Sequence, residues 1–276
     1  MLRTSIVALV LVGCGKPPVE APEGLNDLAR FLTTNFEAEG TEELEAGMLG
    51  LDAELTALDL EGDVDGRAFT MAPLRPEDLG GMPQHAGYDV EAQIPVAVAT
   101  RSQHDFASQM RIVQETNHVC IESGTTKFYG RTFDTDVACF VDGSCPTVKT
   151  SNEVRKESLL GNIWYDLPKE YRRFTLEDGR NVMVSRGFSP DVYNTDGGGG
   201  SFDQTYILEA WIEDGTKTKR FYSMWSSVTL SAVGDDAWAA LVRSGIDEGY
   251  GYADDYLADF AEELCREDRD RAYDRE

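Results

Sequence analysis

Between residues 92 and 230 the chain is cut into short apolar or alternating runs joined by links too short for helical crossovers. This restricts the fold more than any other feature of the sequence. Parallel neighbours need a connection of about a dozen residues or more, so a sheet built from these runs must be largely antiparallel. The runs read "AQIPVAVAT", "TNHVCIES", "TKFYGRTF" and "VACFV", with turns between them. "RRFTLEDGRNVMVS" is the clearest hairpin, and its Asp178-Gly179 pair fits a type I′ turn. A two-residue turn there places Glu177 beside Arg180 and Phe174 beside Met183. "TYILEAWI" and "RFYSMWSSVTL" form another pair around Asp214-Gly215. In the second of these, Tyr222, Met224, Val228 and Leu230 share one face and Phe221 and Trp225 the other. Large residues on both faces require that each face be covered, or that one line a cavity.

Helical patterns flank this region. Leu25, Leu28, Leu32 and Phe36 recur at helical spacing, Gly40 stops the pattern, and Leu44, Met48, Leu51, Leu55 and Leu58 resume it. Thr41 is placed as an N-cap, with acids in the first turn behind it. Residues 25–60 are therefore expected to form an N-terminal helical hairpin. Residues 61–90 are rich in Gly, Pro and Asp and read as loop, with a short strand in "VDGRAFTMAPL" and a helical turn at Pro76-Glu77-Asp78. "SPDVYNTDGGGGSFD" reads as a mobile loop. At the far end Trp238, Leu241, Val242, Gly245, Gly249, Tyr252, Tyr256, Phe260 and Leu264 step by three or four. One helix over about 235–267 is expected, bent or broken near Gly245, Gly249 and Gly251. Residues 269–276 are a charged tail. The fold class is α+β: an N-terminal helical hairpin, then a largely antiparallel curved sheet with a long C-terminal helix packed on it, in a domain spanning 61–268.

A long C-terminal helix laid over a curved sheet resembles the START-like, or helix-grip, fold, across roughly residues 90–268. The resemblance rests on element order. It implies an apolar cavity for lipids or other small hydrophobic ligands, to which the N-terminal hairpin is an addition.

The first residues carry a different kind of information. Arg3 precedes an apolar run over Ile6–Val12, and Gly13 sits before Cys14. The run is shorter than the ~20 residues a membrane-spanning helix needs, and its layout is that of an export signal. Leu11-Val12-Gly13-Cys14 resembles the lipobox of bacterial lipoproteins. That resemblance implies a signal peptide over 1–13, cleavage before Cys14, and a lipid, such as palmitate, on Cys14 as a membrane anchor. Gly15, where an Asp would signal retention, resembles sorting to the outer membrane of the cell envelope. Residues 14–24, with Pro17, Pro18 and Pro22, read as a semi-extended tether.

The formal charge of −25 repels nucleic acid and anionic headgroups, so no nucleic-acid partner is expected. With Cys14 set aside, Cys120, Cys139, Cys145 and Cys265 remain. An even number in an exported chain points to two disulfides, with three pairings open. Cys139–Cys145 around "CFVDGSC" is the simplest, and Cys120–Cys265 would then complete the set.

Catalytic, metal and cofactor signatures are not recognised. His85, His104 and His118 match no ligand spacing, although Asp105 and Glu115 could add oxygens. His118 and Cys120, read as parts of one strand, would face the same side. Asp134/Asp136 and Asp235/Asp236 are pairs expected by chance among 50 acids. Asp191, Asn194, Asp196 and Asp203 fail the EF-hand spacing. The aromatics of the final third are more informative. Trp211, Tyr222, Trp225, Trp238, Tyr252 and Tyr256 are candidate walls of a pocket, the other reading being a filled core. The sequence thus points to a membrane-anchored, non-enzymatic binding or structural module whose partner is an apolar small molecule or an envelope protein. The rival reading is a hydrolase with a site assembled from scattered carboxylates and histidines.

Overall fold

A computed structural model of the chain describes residues 19–63, 67–69, 71–158, 161–196, 198–230 and 233–259. The signal, Cys14, the first part of the tether, Cys265 and the charged tail lie outside these residues. Among the described residues the helices are α1 (Leu25–Thr34), α2 (Glu42–Thr56), α3 (Phe106–Gln114), α4 (Val137–Asp142) and α5 (Asp235–Asp259). The strands are β1 (Ala68–Phe69), β2 (Ile94–Ser102), β3 (Thr126–Phe133), β4 (Thr147–Ser158), β5 (Gly161–Asp166), β6 (Lys169–Thr175), β7 (Asn181–Phe188), β8 (Tyr193–Asn194), β9 (Gly200–Asp214) and β10 (Lys217–Leu230). They form one antiparallel sheet in the order β1-β2-β10-β9-β7-β6-β4-β3, with β5 on β4 and β8 on β9. Bulges at Ser227/Val228 and between Thr126 and Phe128 interrupt the ladders, the device by which long strands bend. The class is α+β with a curved sheet and a long C-terminal helix.

Strand alternation sorts the two faces. Val182 and Val184 of β7, Leu208 and Ala210 of β9, and Phe221 and Trp225 of β10 meet α1 and α2 in one buried cluster. Leu32, Leu44, Met48 and Leu51 are fully buried there. Each such side chain contributes about 1.5–3 kcal/mol by leaving water. Buried and half-buried cations then fasten the hairpin. Arg172 donates to the carbonyls of Phe36 (2.6 Å), Ala38 (2.8 Å) and Gly40 (3.0 Å), which are otherwise open at the α1–α2 link. The Lys219 ammonium, 4% exposed, donates to Asp52 Oδ1 (2.6 Å) and Thr56 Oγ1 (2.7 Å) of α2. Arg186 reaches Glu37, Glu170 and the Gly80 carbonyl. The hairpin and the sheet share one core.

Several local expectations are corrected. The 174–183 hairpin pairs Phe174 with Val182 and Thr175 with Asn181, one residue out of the expected register. Its loop has three residues, closed by Gly179 N–H to the Leu176 carbonyl (2.9 Å) with Gly179 at φ +88°. An Asp-Gly pair serves this longer loop as well as a type I′ turn. Thr41 precedes α2 at φ −112°, ψ −5°, outside the extended region that aims a capping hydroxyl at the helix, and makes no side-chain cap. "VACFV" is the helix α4, because the Asp136 carboxylate accepts from Ala138 N–H (2.9 Å) and Gly143 ends the turn. "TNHVCIES" holds a 3-10 turn over Val119–Ile121, where the Asn117 side chain accepts from Val119 N–H (3.0 Å) in place of a strand partner. His118 and Cys120 are therefore not alternating strand residues. In the loop before β9, Tyr193 and Asn194 pair with Phe202 and Ser201. The C-terminal helix runs unbroken from Asp235 to Asp259 through Gly245, Gly249 and Gly251. Its expected continuation to 267 lies outside the described residues. Helix α3, capped by Asp105 accepting from Ser108 N–H (2.8 Å), is an addition to the expected elements.

Candidate functional site

The second face of the sheet carries Met183 and Ser185, Ile207, Glu209 and Trp211, and Arg220, Tyr222 and Met224, with Tyr222 opposite Glu209 and Met224 opposite Ile207. Helix α5 crosses this face and is fixed to it near both ends. At the start, Trp238 Nε1–H donates to Ser226 Oγ (3.0 Å), and its ring meets Phe202 edge-on at 5.2 Å. Toward the end, Arg220 makes a two-pronged pair with Asp254 (2.9 and 3.0 Å), and Ser102 Oγ–H donates to the same carboxylate (2.6 Å). At mid-helix, Arg67 adds a pair with Asp247 (2.6 Å). A cavity of 440 Å³ is bounded by the middle of α5, the 3-10 turn at 119–121, and β3, β5, β6, β9 and β10. Gly245 leaves its side open, since a side chain there would meet nothing within 4 Å. Leu241, 52% exposed, stands at the rim.

The wall is apolar and aromatic, with a polar belt set into it. Lys169 and Glu209 form a buried ion pair (3.0 Å), and Ser185 Oγ–H donates to the same Glu209 oxygen (2.7 Å). Burial acts to lower the Lys169 pKa, but Glu209 together with Tyr129, Tyr171 and Tyr222 raises it, and the ammonium is held well above its usual range. Arg131, 5% exposed, donates from Nε to Asn152 Oδ1 (2.8 Å), from Nη1 to the Val113 carbonyl (3.0 Å) and from Nη2 to the Tyr171 hydroxyl (3.0 Å). Its guanidinium also lies 5.9 Å from the Tyr129 ring centroid and 5.6 Å from that of Tyr171. His118 stacks on Tyr129 with centroids 4.9 Å apart, and its Nε2 lies 3.1 Å from the Glu115 carbonyl. Burial first, then Arg131 and Lys169, depress its pKa well below the ordinary value, so the ring is neutral at pH 7. Burial pushes the Tyr129 hydroxyl up to about 12 and raises those of Tyr165, Tyr222 and Tyr250 as well. These phenols remain neutral donors, and Tyr165 and Tyr222 line the cavity without hydrogen-bonding any described residue. Such a site can enclose an apolar body and meet a polar group.

Of the aromatics singled out from the sequence, Trp211, Tyr222 and Trp238 stand in the cavity wall. Trp225 points to the opposite face, where its indole N–H donates to the Ala72 carbonyl (3.0 Å). Tyr252 is 40% exposed on the outer side of α5. Tyr256 packs with Ile121, Ala253 and Leu257 beyond the cavity and hydrogen-bonds Glu115. Tyr129, Tyr165, Tyr193 and Tyr250 complete the wall. Tyr129 is legible only once β3 and α5 are known to face each other. Cys139 and Cys145 are joined by a disulfide, with Cα atoms 5.1 Å apart. Cys120 is disulfide-bonded as well, and its expected partner Cys265 lies outside the described residues. The histidines do not converge. His118 lines the cavity, His85 bonds to the Ser189 carbonyl (3.1 Å), and His104 precedes the cap of α3. Asp203 accepts from Ser201 and Thr229 hydroxyls (2.6 and 3.1 Å), while Asp191 and Asn194 are exposed. Among the described residues no three His, Cys, Asp or Glu side chains are grouped to hold a metal, and no helix is long and apolar enough to cross a membrane.

No family model matches the chain, and no curated protein matches it. Among solved structures it is similar to a STAR-related lipid transfer protein from Xanthomonas axonopodis (11% identity, TM-score 0.46, covering 64% of this chain and 97% of that one). It is similar also to a START superfamily protein from Mycobacterium smegmatis (11% identity, TM-score 0.34, 62% and 98%) and to Zhui aromatase/cyclase from a Streptomyces species (10% identity, TM-score 0.35, 60% and 94%). Likenesses this distant carry no inference about ligand or activity, and the helix-over-sheet arrangement stands on the geometry above.

Proposed function

We propose that the protein is a binding module that holds an apolar small molecule in the cavity under α5, while a lipid on Cys14 tethers it to the cell envelope. The observation that supports binding is the cavity itself: 440 Å³, walled by aromatic and aliphatic side chains with a few convergent polar groups. Ligand sites run from about 300 to 1,000 Å³ with this kind of lining, whereas packed cores hold few voids larger than a water molecule. Within the polar belt Glu209 is engaged by both Lys169 and the Ser185 hydroxyl, and we read the site as one of binding rather than catalysis. The support for the tether is the lipobox-like Leu11-Val12-Gly13-Cys14 and the Pro-rich residues that follow, with Gly15 favouring the outer membrane.

Native mass spectrometry of the protein purified from its own host tests the first part. A co-purifying small apolar molecule supports the reading. Bare protein that also binds no apolar fluorescent probe overturns it. Labelling with a radioactive fatty acid tests the second part. The label should disappear in Cys14→Ala, and label that survives the substitution overturns the anchor.

A further inference from the structure

One cation in the cavity wall has no ion-pair partner among the described residues. Lys169 is paired with Glu209, Arg220 with Asp254, and Lys156 with Glu122 (3.6 Å) at the rim. Glu248, on the exposed side of α5, lies at the margin, and His118 is neutral. Arg131 is the exception. It is 5% exposed and lines the cavity, and no carboxylate among the described residues lies within ion-pair distance of it. Its three hydrogen bonds go to an amide, a carbonyl and a phenol, all neutral. A guanidinium has five N–H donors, so two remain. The Tyr129 hydroxyl beside it is buried and itself lacks a hydrogen bond in good geometry. Burial acts most strongly to lower the Arg131 pKa, but Tyr171, Tyr129 and the more distant Glu209 carboxylate together raise it, so Arg131 stays charged. A buried charge without a counter-ion is costly, and folds retain one where a partner supplies the opposite charge. Close by, Tyr165 and Tyr222 offer unused phenol donors, and the Lys169 ammonium has a single acceptor among its three donors.

We infer that the ligand carries one negative charge: a carboxylate on a single apolar body, seated with its anionic end among Arg131, Lys169 and the tyrosines and its apolar end under α5. The inference rests on the reading of the cavity as a ligand site and specifies what the site selects.

The test uses the full mature chain, freed of any bound molecule, and an apolar fluorescent probe displaced at pH 7.4 by dodecanoate, 1-dodecanol or methyl dodecanoate. These share a chain and differ in charge. Dodecanoate should displace the probe at a concentration at least about tenfold lower than the other two, as a charge-assisted hydrogen bond exceeds a neutral one. In Arg131→Met the advantage of dodecanoate over dodecanol should vanish, and in Arg131→Lys it should largely return. Equal displacement by all three on the unsubstituted chain overturns the inference and leaves the cavity reading intact, whether or not Arg131→Met folds. A probe that does not bind, with none of the three binding directly in calorimetry, overturns both.

Discussion

Arg220 and Asp254 show how single residues hold the cavity open and closed at once. Arg220 is 2% exposed in its side chain and stacks on the Tyr250 ring at 4.3 Å, so its charge depends on Asp254 across the gap between sheet and helix. Asp254→Asn keeps the shape and removes the charge. Breaking one side of a buried pair costs about 3–5 kcal/mol, and the partial exposure of Asp254 places the expected loss near the lower end, about 3 kcal/mol. Urea unfolding should show it as a lowered midpoint with unchanged slope. Removing the exposed Lys217–Glu61 pair should leave the midpoint where it is. His118 gives a second signature at this scale. Its folded pKa lies well below 6.5, so the unfolded chain takes up a proton that the folded chain refuses. Stability is therefore greatest above pH 6.5 and falls as pH drops through the window below it, by about 1.4 kcal/mol per pH unit at most. Unfolding measured from pH 7 to pH 5 should show this slope. His118→Phe, which keeps a ring against Tyr129, should flatten it.

At the scale of elements, α5 acts as a beam fixed near both ends with space beneath its middle, and Gly245 marks that space. Gly245→Ala adds a methyl that meets nothing within 4 Å, so the helix should gain up to about 1 kcal/mol from propensity alone. Gly245→Trp should fill the cavity instead, weakening a neutral apolar probe tenfold or more, about 1.4 kcal/mol, while circular dichroism stays unchanged. The elements differ in how legibly the sequence announces them. Lys217 pairs with Asp214 across the two-residue Gly215-Thr216 turn, and that hairpin is readable because turn and alternation agree. The Asp178-Gly179 hairpin misleads by one residue, because the same dipeptide closes loops of two lengths. "VACFV" misleads because five apolar residues have no period, and the cap at Asp136 decides the matter. The polar belt left a fainter signal. Glu209 falls between Ile207 and Trp211, Lys169 two before Tyr171, and Arg131 two after Tyr129, each a charge on an otherwise apolar strand face. Alternation shows that such charges point inward. It does not show that three strands distant in sequence bring them together, which depends on the order β9-β7-β6-β4-β3.

For the whole molecule, the sheet has two tasks on two faces, and the N-terminal hairpin makes them compatible. The face with Trp225, Phe221, Val182 and Leu208 is as apolar as a core, and α1 and α2 cover it. With that cover in place, the other face can leave space under α5 without the sheet losing its rigidity. The hairpin is therefore expected to be essential to the fold of the binding domain. A fragment beginning at residue 61 would expose the Trp225 face to water and strip Lys219 of both its partners in α2. It would also leave the Arg172 guanidinium without the three carbonyls it holds. Exposed apolar surface on this scale drives association, and a buried cation without its partner adds several kcal/mol of cost. The fragment should appear in gel filtration as aggregate and bind apolar dyes non-specifically, whereas a chain beginning at residue 19 should be monodisperse with dye bound at one site. A soluble, cooperatively unfolding fragment from 61 would mean that the sheet and α5 are self-sufficient, and the hairpin would then have to be explained by something other than the core it completes.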